Sequence, residues 1–510
     1  MNPARLWRFH GGLALPGHKA DTTRLPLSAA SVPERLVFPL PQGDGWLEPV
    51  VSPGERVLKY QTIARDPDQR QPPLHASSSG RIAAIAALPL PHPSGLTGPC
   101  IVVETDGADT PLPCRGVADY RHEGPAALRL RLHEAGVVGL GGAGYPTAQK
   151  LAPRPVDILV LNGTDCEPYL SCDELLLRQH AAEVLLGAQI LRHILGAERI
   201  LLALQDNQPE AHAAATAALR AGGYPDTMVQ VVPARYPVGA EGPLIHLLTG
   251  RELPSGGVPA DIGVACQNVA TAAAVAAAVV QGQPLIARIV TLAGGGLHQP
   301  RNLWARIGTP IAHLVAHCGG YRDTAEHLIL GGPLTGFALP RDDLPIGKTT
   351  RGILVAGRGE LTGAAHALPC IRCGACHAVC PVRLLPQQLF WYGRSGQLDH
   401  AADHQLLACI ECGCCDLVCP SGIPLLQTLR ATKGQLLARQ RERERAERAR
   451  RRFEARQARQ AERRRVQAEA AARRKAALEQ GAQPEIREAL ERVRQKRAGK
   501  RVPTQGSPPA

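Results

Sequence analysis

The chain has 510 residues, a formal net charge of +13 and 3% aromatic residues. That length exceeds what one hydrophobic core supports, so three or more domains are expected. Lys433 to Arg501 carries 24 Lys and Arg against 10 Glu, so the charge excess sits in one C-terminal segment and the rest is near neutral, which argues against a nucleic-acid-binding body.

The start, MNPARLWRFHGG, lacks the apolar centre of an export signal, so a cytoplasmic location is expected. Thiols stay reduced there, and fifteen cysteines then read as metal ligands rather than disulfides. The longest apolar run, VATAAAVAAAVV at 269–280, has twelve mostly small residues. A membrane-spanning helix takes about 20, so none is expected.

Residues 1–115 are rich in Pro and Gly with short β-like runs. EPVVSPGERVLKYQTIA (48–64) and LHASSSGRIAAI (74–85) resemble the two halves of a lipoyl-type β-sandwich. The turn where a carrier lysine would stand reads PPLHASSSG, so a structural or docking role is expected instead of covalent carriage.

Residues 116–285 alternate between strand and helix patterns. VDILVLN (156–162), ERILLAL (198–204) and MVQVV (228–232) are predicted strands. Between the first two, Leu177, Ala181, Val184, Ala188, Leu191 and Leu195 recur at helical spacing, and PEAHAAATAALRAGG (209–223) forms a second helix. Strand–helix repeats imply a parallel sheet, which binds ligands at the carboxyl ends of its strands. Three polar elements fall near those ends. VVGLGGAGYPTAQK (137–150) is a glycine cluster entering a helix, LNGTDCEPYLSCDE (161–174) follows the first strand and RYPVGAEGPLI (235–245) follows the third.

Residues 286–345, from RIVTLAGGG through LILGGPLTG, suggest a small β-grasp module, and 346–432 contain two sulfur ladders. CIRCGACHAVCP (370–381) and CIECGCCDLVCP (409–420) repeat the C-x2-C-x2-C-x3-C-P pattern 39 residues apart. Three cysteines of such a loop reach one cubane and the fourth reaches the other, so the pattern works only in pairs. This spacing assigns one [4Fe–4S] cluster to Cys370, Cys373, Cys376 and Cys419 and the other to Cys409, Cys412, Cys415 and Cys380. Structural zinc is the competing assignment. Cys414 adjoins a ligand but stands outside the ladder. Residues 433–510 form an Arg/Ala/Glu-rich tail, expected to be a long exposed helix or disordered.

GLGGAGYPT, NGTDCEP and YPVGAEGPLI resemble the flavin-binding signatures of the NADH-oxidising subunit of respiratory complex I. With the two ladders, and CIECGCCDLVCPSGIPL in particular, the chain more closely resembles the RnfC family of the Rnf electron transport complex over residues 5–430. The resemblance implies a barrel-sandwich β domain, a Rossmann-like α/β flavin domain, a β-grasp (SLBB) module and a two-cluster ferredoxin domain. It implies that Gly139, Gly141, Gly142, Gly144 and Lys150 line FMN, and that Asn162, Asp165, Glu167, Tyr236, Glu241 and Asn268 complete a flavin and nicotinamide pocket. Leu140, Thr164 and Ala240 depart from the complex I signatures.

The function so implied is a peripheral oxidoreductase subunit on the cytoplasmic face of the inner membrane. It would pass electrons between NAD(H) and ferredoxin or an equivalent carrier, through FMN and two clusters, coupled to ion translocation by membrane-embedded and peripheral Rnf subunits. No general acid, base or nucleophile is required. Alternatives are a soluble NADH dehydrogenase or hydrogenase subunit and a wiring subunit without flavin. Membrane contact is expected to be indirect, with the basic tail as a possible aid, and no nucleic-acid partner is expected.

Overall fold

In a computed structural model, residues 6–43, 45–361, 366–481 and 484–498 are described; the first five residues and the last twelve of the expected tail lie outside them. The chain divides into a body, Met1–Lys433, and a C-terminal unit, Gly434–Ala510.

Two sheets build the N-terminal sandwich. One orders Arg35–Pro39, Thr97–Thr105, Gly80–Pro89 and Arg56–Val57; the other orders Glu48–Pro49, Thr62–Arg65 and Leu74–His75. Leu36, Phe38, Leu47, Ile63, Ile82 and Ile101 are fully buried between them. The serine turn is buried as well. Ser77 donates to the Ile307 carbonyl at 2.7 Å, Ser78 to Asp109 at 2.9 Å and Ser79 to Asp106 at 2.6 Å. Where a carrier domain exposes a lysine, this sandwich encloses three serines.

The α/β domain follows in chain order as β1 (Ile158–Asn162), α1 (Cys172–Leu195), β2 (Arg199–Gln205), α2 (Pro209–Gly222), β3 (Thr227–Val232), α3 (Glu241–Thr249), β4 (Val264–Asn268) and α4 (Val269–Ala276). All pairings are parallel, in the order β3–β2–β1–β4. The first three strands step one way and β4 lands on the far side of β1, so the topological switch lies between β1 and β4. Open parallel sheets bind ligands at that crevice. Asn162 and Asn268 are register partners at its carboxyl edge. Leu177, Ala181, Val184, Ala188 and Leu191 of α1 are buried against the sheet, and Leu195 is half-buried.

The β-grasp sheet contains β5 (Ala287–Ala293), β6 (Arg301–Arg306), β7 (Ala325–Leu330) and β8 (Gly352–Gly357), with helix Ile311–His317 alongside in sequence. Its edges are Ser28–Ala29, parallel to β6, and Phe337–Ala338, antiparallel to β7. The module therefore extends past residue 345: β8 pairs parallel to β5 and its six residues are all buried. The N-terminal leg is the other feature that crosses the expected boundaries. Besides Ser28–Ala29, Leu13 bridges Tyr236 of the α/β domain, and Gly12 N–H donates to the Val379 carbonyl beside the first ladder.

In the C-terminal unit, Gly434 to Gly481 continues the helix Leu425–Gly481, and Pro484–Ala498 is helical. Its side chains are largely exposed, with pairs such as Arg450–Glu454 at 2.8 Å and Arg465–Glu462 at 2.9 Å. Surface ion pairs of this kind contribute little stability. Among the described residues no helix is long and apolar enough to cross a membrane.

Candidate flavin and iron–sulfur sites

The glycine loop is held from both sides. Gly139 N–H donates to the Tyr145 carbonyl at 2.8 Å and Gly144 N–H to the Gly139 carbonyl at 3.1 Å, which closes the turn. Leu140 N–H donates to Thr271 Oγ1 at 2.8 Å, and its carbonyl accepts from Arg288 Nη2 at 3.2 Å. Gly141 and Gly142 are thereby left facing a cavity of about 1370 Å³, while Gly139 and Gly144 serve the turn. A Cβ on Gly141 would approach the Asn268 Cβ to 3.3 Å, so glycine leaves the narrow space there open.

Lys150, Asn162, Glu167, Tyr236, Glu241 and Asn268 line the same cavity. Lys150 Nζ donates to Glu241 Oε1 at 2.6 Å across the opening. Asn162 Nδ2 donates to the Gly239 carbonyl at 2.7 Å, tying β1 to the loop that starts α3. A Cβ on Gly239 would meet Thr164 Oγ1 at 2.3 Å, so the close approach requires glycine. Asn268 caps α4 by accepting from Ala270 N–H at 2.9 Å, and its Nδ2 donates to Asp173 Oδ2 at 2.6 Å.

Two of the expected acids are bound to the β-grasp module. Glu167, 4% exposed, accepts from the backbone N–H groups of Leu334 at 2.9 Å and Thr335 at 3.1 Å. Burial nonetheless holds it above the usual carboxylate range. Asp165 lies behind the cavity wall rather than on it: its Oδ1 accepts from Arg351 Nη2 at 2.6 Å, and its Oδ2 from the N–H groups of Asp173 and Glu174 at the start of α1. Arg351 Nη2 also reaches Asp173 Oδ2 at 2.9 Å. Burial and the neighbouring Asp165 carboxylate push Asp173 up. Cys172 sits beside both acids, but burial pushes its thiol to about 12, so it is a packed group and not a nucleophile. Gln267, Thr349, Thr350 and Arg351 also line the cavity, and none of the three polar sequence elements includes them.

The two ladders repeat in backbone as they do in sequence. Arg372 and Glu411 share φ of 56°, Gly374 and Gly413 take φ of 78° and 74°, and each loop ends in a four-residue helix, Ala375–Ala378 or Cys414–Leu417. Left-handed positions turn successive cysteines inward. Cys370, Cys373, Cys376 and Cys419 line one small cavity with Phe390, Trp391 and Ile423. Burial, then the neighbouring Asp416 carboxylate, then the nearby Cys412, Cys409 and Cys380 thiols raise the Cys415 thiol; burial pushes Cys409 to about 11. Leu384 N–H donates to Cys380 Sγ at 3.3 Å. Cys414, fully buried, hydrogen-bonds the Cys412 thiol and holds it below the ordinary value. Two sets of four soft thiol donors fit iron–sulfur clusters. The glycine-lined crevice beside the α4 N-terminus likewise fits a phosphorylated ring cofactor.

One cavity joins the two regions. It runs from Gly141 and Lys150 to Cys409 and Cys412, and Tyr236 OH donates to the Cys412 carbonyl at 2.6 Å.

Family models match in the same order as the domains: the RnfC barrel sandwich hybrid domain over residues 7–108, the Nuo51 FMN-binding domain over 132–277, the SLBB domain over 289–338 and the 4Fe-4S dicluster domain over 369–423. An FMN-binding domain and a 4Fe-4S dicluster domain on one chain define a flavin and iron–sulfur protein. The RnfC protein of the ion-translocating oxidoreductase complex from Pseudomonas aeruginosa is 48% identical over 89% of this chain and 59% of its own length. That of Serratia proteamaculans is 42% identical over 99% of this chain and 71% of its own. The chain belongs to this family, the RnfC proteins of ion-translocating oxidoreductase complexes. It spans 57% to 65% of the length of the first four curated relatives it matches. An NAD+-reducing [NiFe]-hydrogenase structure in the H2-reduced state matches 62% of this chain and 63% of its own at 20% identity, with a TM-score of 0.44.

Proposed function

We propose that this chain is the peripheral subunit of an ion-translocating oxidoreductase complex that exchanges electrons with NAD(H) and passes them between FMN and two [4Fe–4S] clusters. The observation that carries this reading is the shared cavity, whose walls include both the glycine loop and Cys409 and Cys412. Its redox partner is ferredoxin or an equivalent carrier. Its assembly partners are the membrane-embedded and peripheral Rnf subunits, met on the cytoplasmic face.

When bound, FMN supplies the conversion between paired and single electrons, and the clusters accept electrons singly. The chain's own task is positional. Gly141 and Gly142 admit a flat or phosphorylated group close to the backbone, and the Lys150–Glu241 pair offers a charge of each sign at the opening. Tyr236 fixes the second ladder against the cavity through the Cys412 carbonyl.

Anaerobically purified full chain should release about one flavin and contain about eight irons with matching sulfide. NADH should then bleach the flavin absorbance. Zinc in place of iron, or iron without flavin, would overturn the reading.

A further inference from the structure

Residues 7–13 run from the α/β domain to the first ladder. Trp7 N–H donates to the Leu247 carbonyl at 2.9 Å, and the Arg8 carbonyl accepts from His246 Nε2 at 3.1 Å, both on α3. Phe9 packs against the core shared by β1, β2 and α3. Leu13 and Tyr236 exchange backbone hydrogen bonds at 2.7 and 2.8 Å.

Between these anchors, Gly11 and Gly12 are gripped from two sides. Arg235 Nε donates to the Gly11 carbonyl at 2.9 Å and its Nη2 to the Gly12 carbonyl at 3.1 Å. Gly12 N–H donates in turn to the Val379 carbonyl at 2.9 Å. Gly11 takes φ of 65°, and a Cβ there would lie 2.5 Å from the Val379 carbonyl oxygen and 2.9 Å from the Cys380 carbonyl carbon. The leg is thus wedged against Cys380, which the ladder spacing assigns to the second cysteine set. Tyr236, the partner of Leu13, holds the Cys412 carbonyl of the same set through its hydroxyl at 2.6 Å. A cluster moves with the backbone that carries its thiolates. Whatever fixes residues 379–380 and 412 therefore fixes how far that set stands from the glycine loop across their common cavity.

We propose that this leg is a positioning element for electron transfer: Gly11 and Gly12, clamped between Arg235 and Val379, set the approach of the second cluster to the flavin. The proposal rests on the flavin and cluster reading above. The reduced flavin gives one electron to each of the two oxidised clusters and releases two protons to solvent, and the leg acts on that transfer. Gly11, Gly12 and Arg235 do not line the cavity, so hydride uptake from NADH should not depend on them.

Rapid mixing of the anaerobic full chain with NADH separates the two steps. Flavin bleaching reports hydride uptake, and the paramagnetic signal of freeze-quenched samples reports reduced clusters. Gly11→Ala should leave bleaching within about two-fold. It should slow cluster reduction roughly 10-fold or more, since misplacement by about 1 Å can cost about 100-fold. Arg235→Met removes both donors, spares the glycines and should slow the same step by a smaller factor. In both variants hydrogen exchange should quicken over 377–384 and 409–413 and stay unchanged in β1–β4. Cluster reduction at the wild-type rate in both variants, equal slowing of both steps, or loss of iron from both would assign the leg to the fold and overturn the proposal. If the wild type holds no flavin, or its clusters stay oxidised after the flavin bleaches, the functional reading itself falls and the role of the leg with it.

Discussion

His75 shows how one buried side chain sets a pH limit on the sandwich domain. It is 4% exposed, and burial together with the charges of Lys348 and Arg65 pushes its pKa down to about 3. In the unfolded chain the same imidazole takes its proton near 6.5. Between these values the unfolded state binds more protons, so stability rises with pH across the window and falls on acidification. Lys348, whose Nζ donates to the carbonyls of Pro73 and Gly136, is pushed down to about 7 by burial and acts in the same sense from there up to its ordinary range. His75→Leu should therefore lose less melting temperature than the wild type between pH 7 and pH 5. Parallel melting curves for the two proteins would show that His75 is not the group responsible. Gly239→Ala acts on the cavity instead. The added methyl meets Thr164 Oγ1 at 2.3 Å and Cys166 Sγ at 3.0 Å, so the loop carrying the acceptor for Asn162 must move. Such overpacking costs about 1–3 kcal/mol, and the expected outcome is chain purified with its iron content intact but depleted of flavin.

Between elements, one close approach is helix on helix. A Cβ on Gly187 of α1 would lie 1.7 Å from the Ala272 carbonyl oxygen of α4, so the two backbones touch without an intervening side chain. Gly187→Val should cost about 3 kcal/mol or more and lower the urea midpoint of the body accordingly; a midpoint equal to the wild type's would mean the helices separate freely. The same helix shows what is legible in the sequence. The inward face of α1 stands out because its apolar residues recur at the helical period beside a charged outer face, and β1 and β2 stand out as short apolar runs closed by polar turns. β4 does not, because VACQN runs directly into the apolar α4 with no turn residue between them. The family motif therefore reaches Asn268 but not Gln267, one residue earlier. Arg351 lies further out of reach: local pattern carries no signal for a side chain whose partners Asp165 and Asp173 are more than 170 residues away in sequence. β8 and the extended leg at the N-terminus share that difficulty, since their pairing is set by distant strands and not by their own periodicity.

For the whole molecule, the boundary between body and tail separates two kinds of physics. The body holds its buried cores and both cysteine sets before Lys433, whereas the segment beyond carries nearly all of the net charge, and its described side chains are largely exposed. The position of the cut matters, because helix Leu425–Gly481 begins inside the body. Leu425 and Leu429 are buried, and Lys433 Nζ donates to the Cys409 carbonyl at 2.7 Å and pairs with Glu411 at 3.0 Å. A chain ending after Lys433 should therefore keep its iron, sulfide and flavin content. A chain ending before Leu425 should lose iron from the set containing Cys409, because the helix that supports that loop is gone. Each basic residue close to an anionic bilayer contributes about 1 kcal/mol of attraction, and the Debye length shrinks from about 10 Å at 0.1 M salt to about 3 Å at 1 M. The full chain should thus sediment with vesicles containing anionic lipid at low salt and release at high salt, while the chain ending after Lys433 should stay in the supernatant throughout. Equal sedimentation of the two would place membrane attachment in the body and leave the tail as a solvated arm.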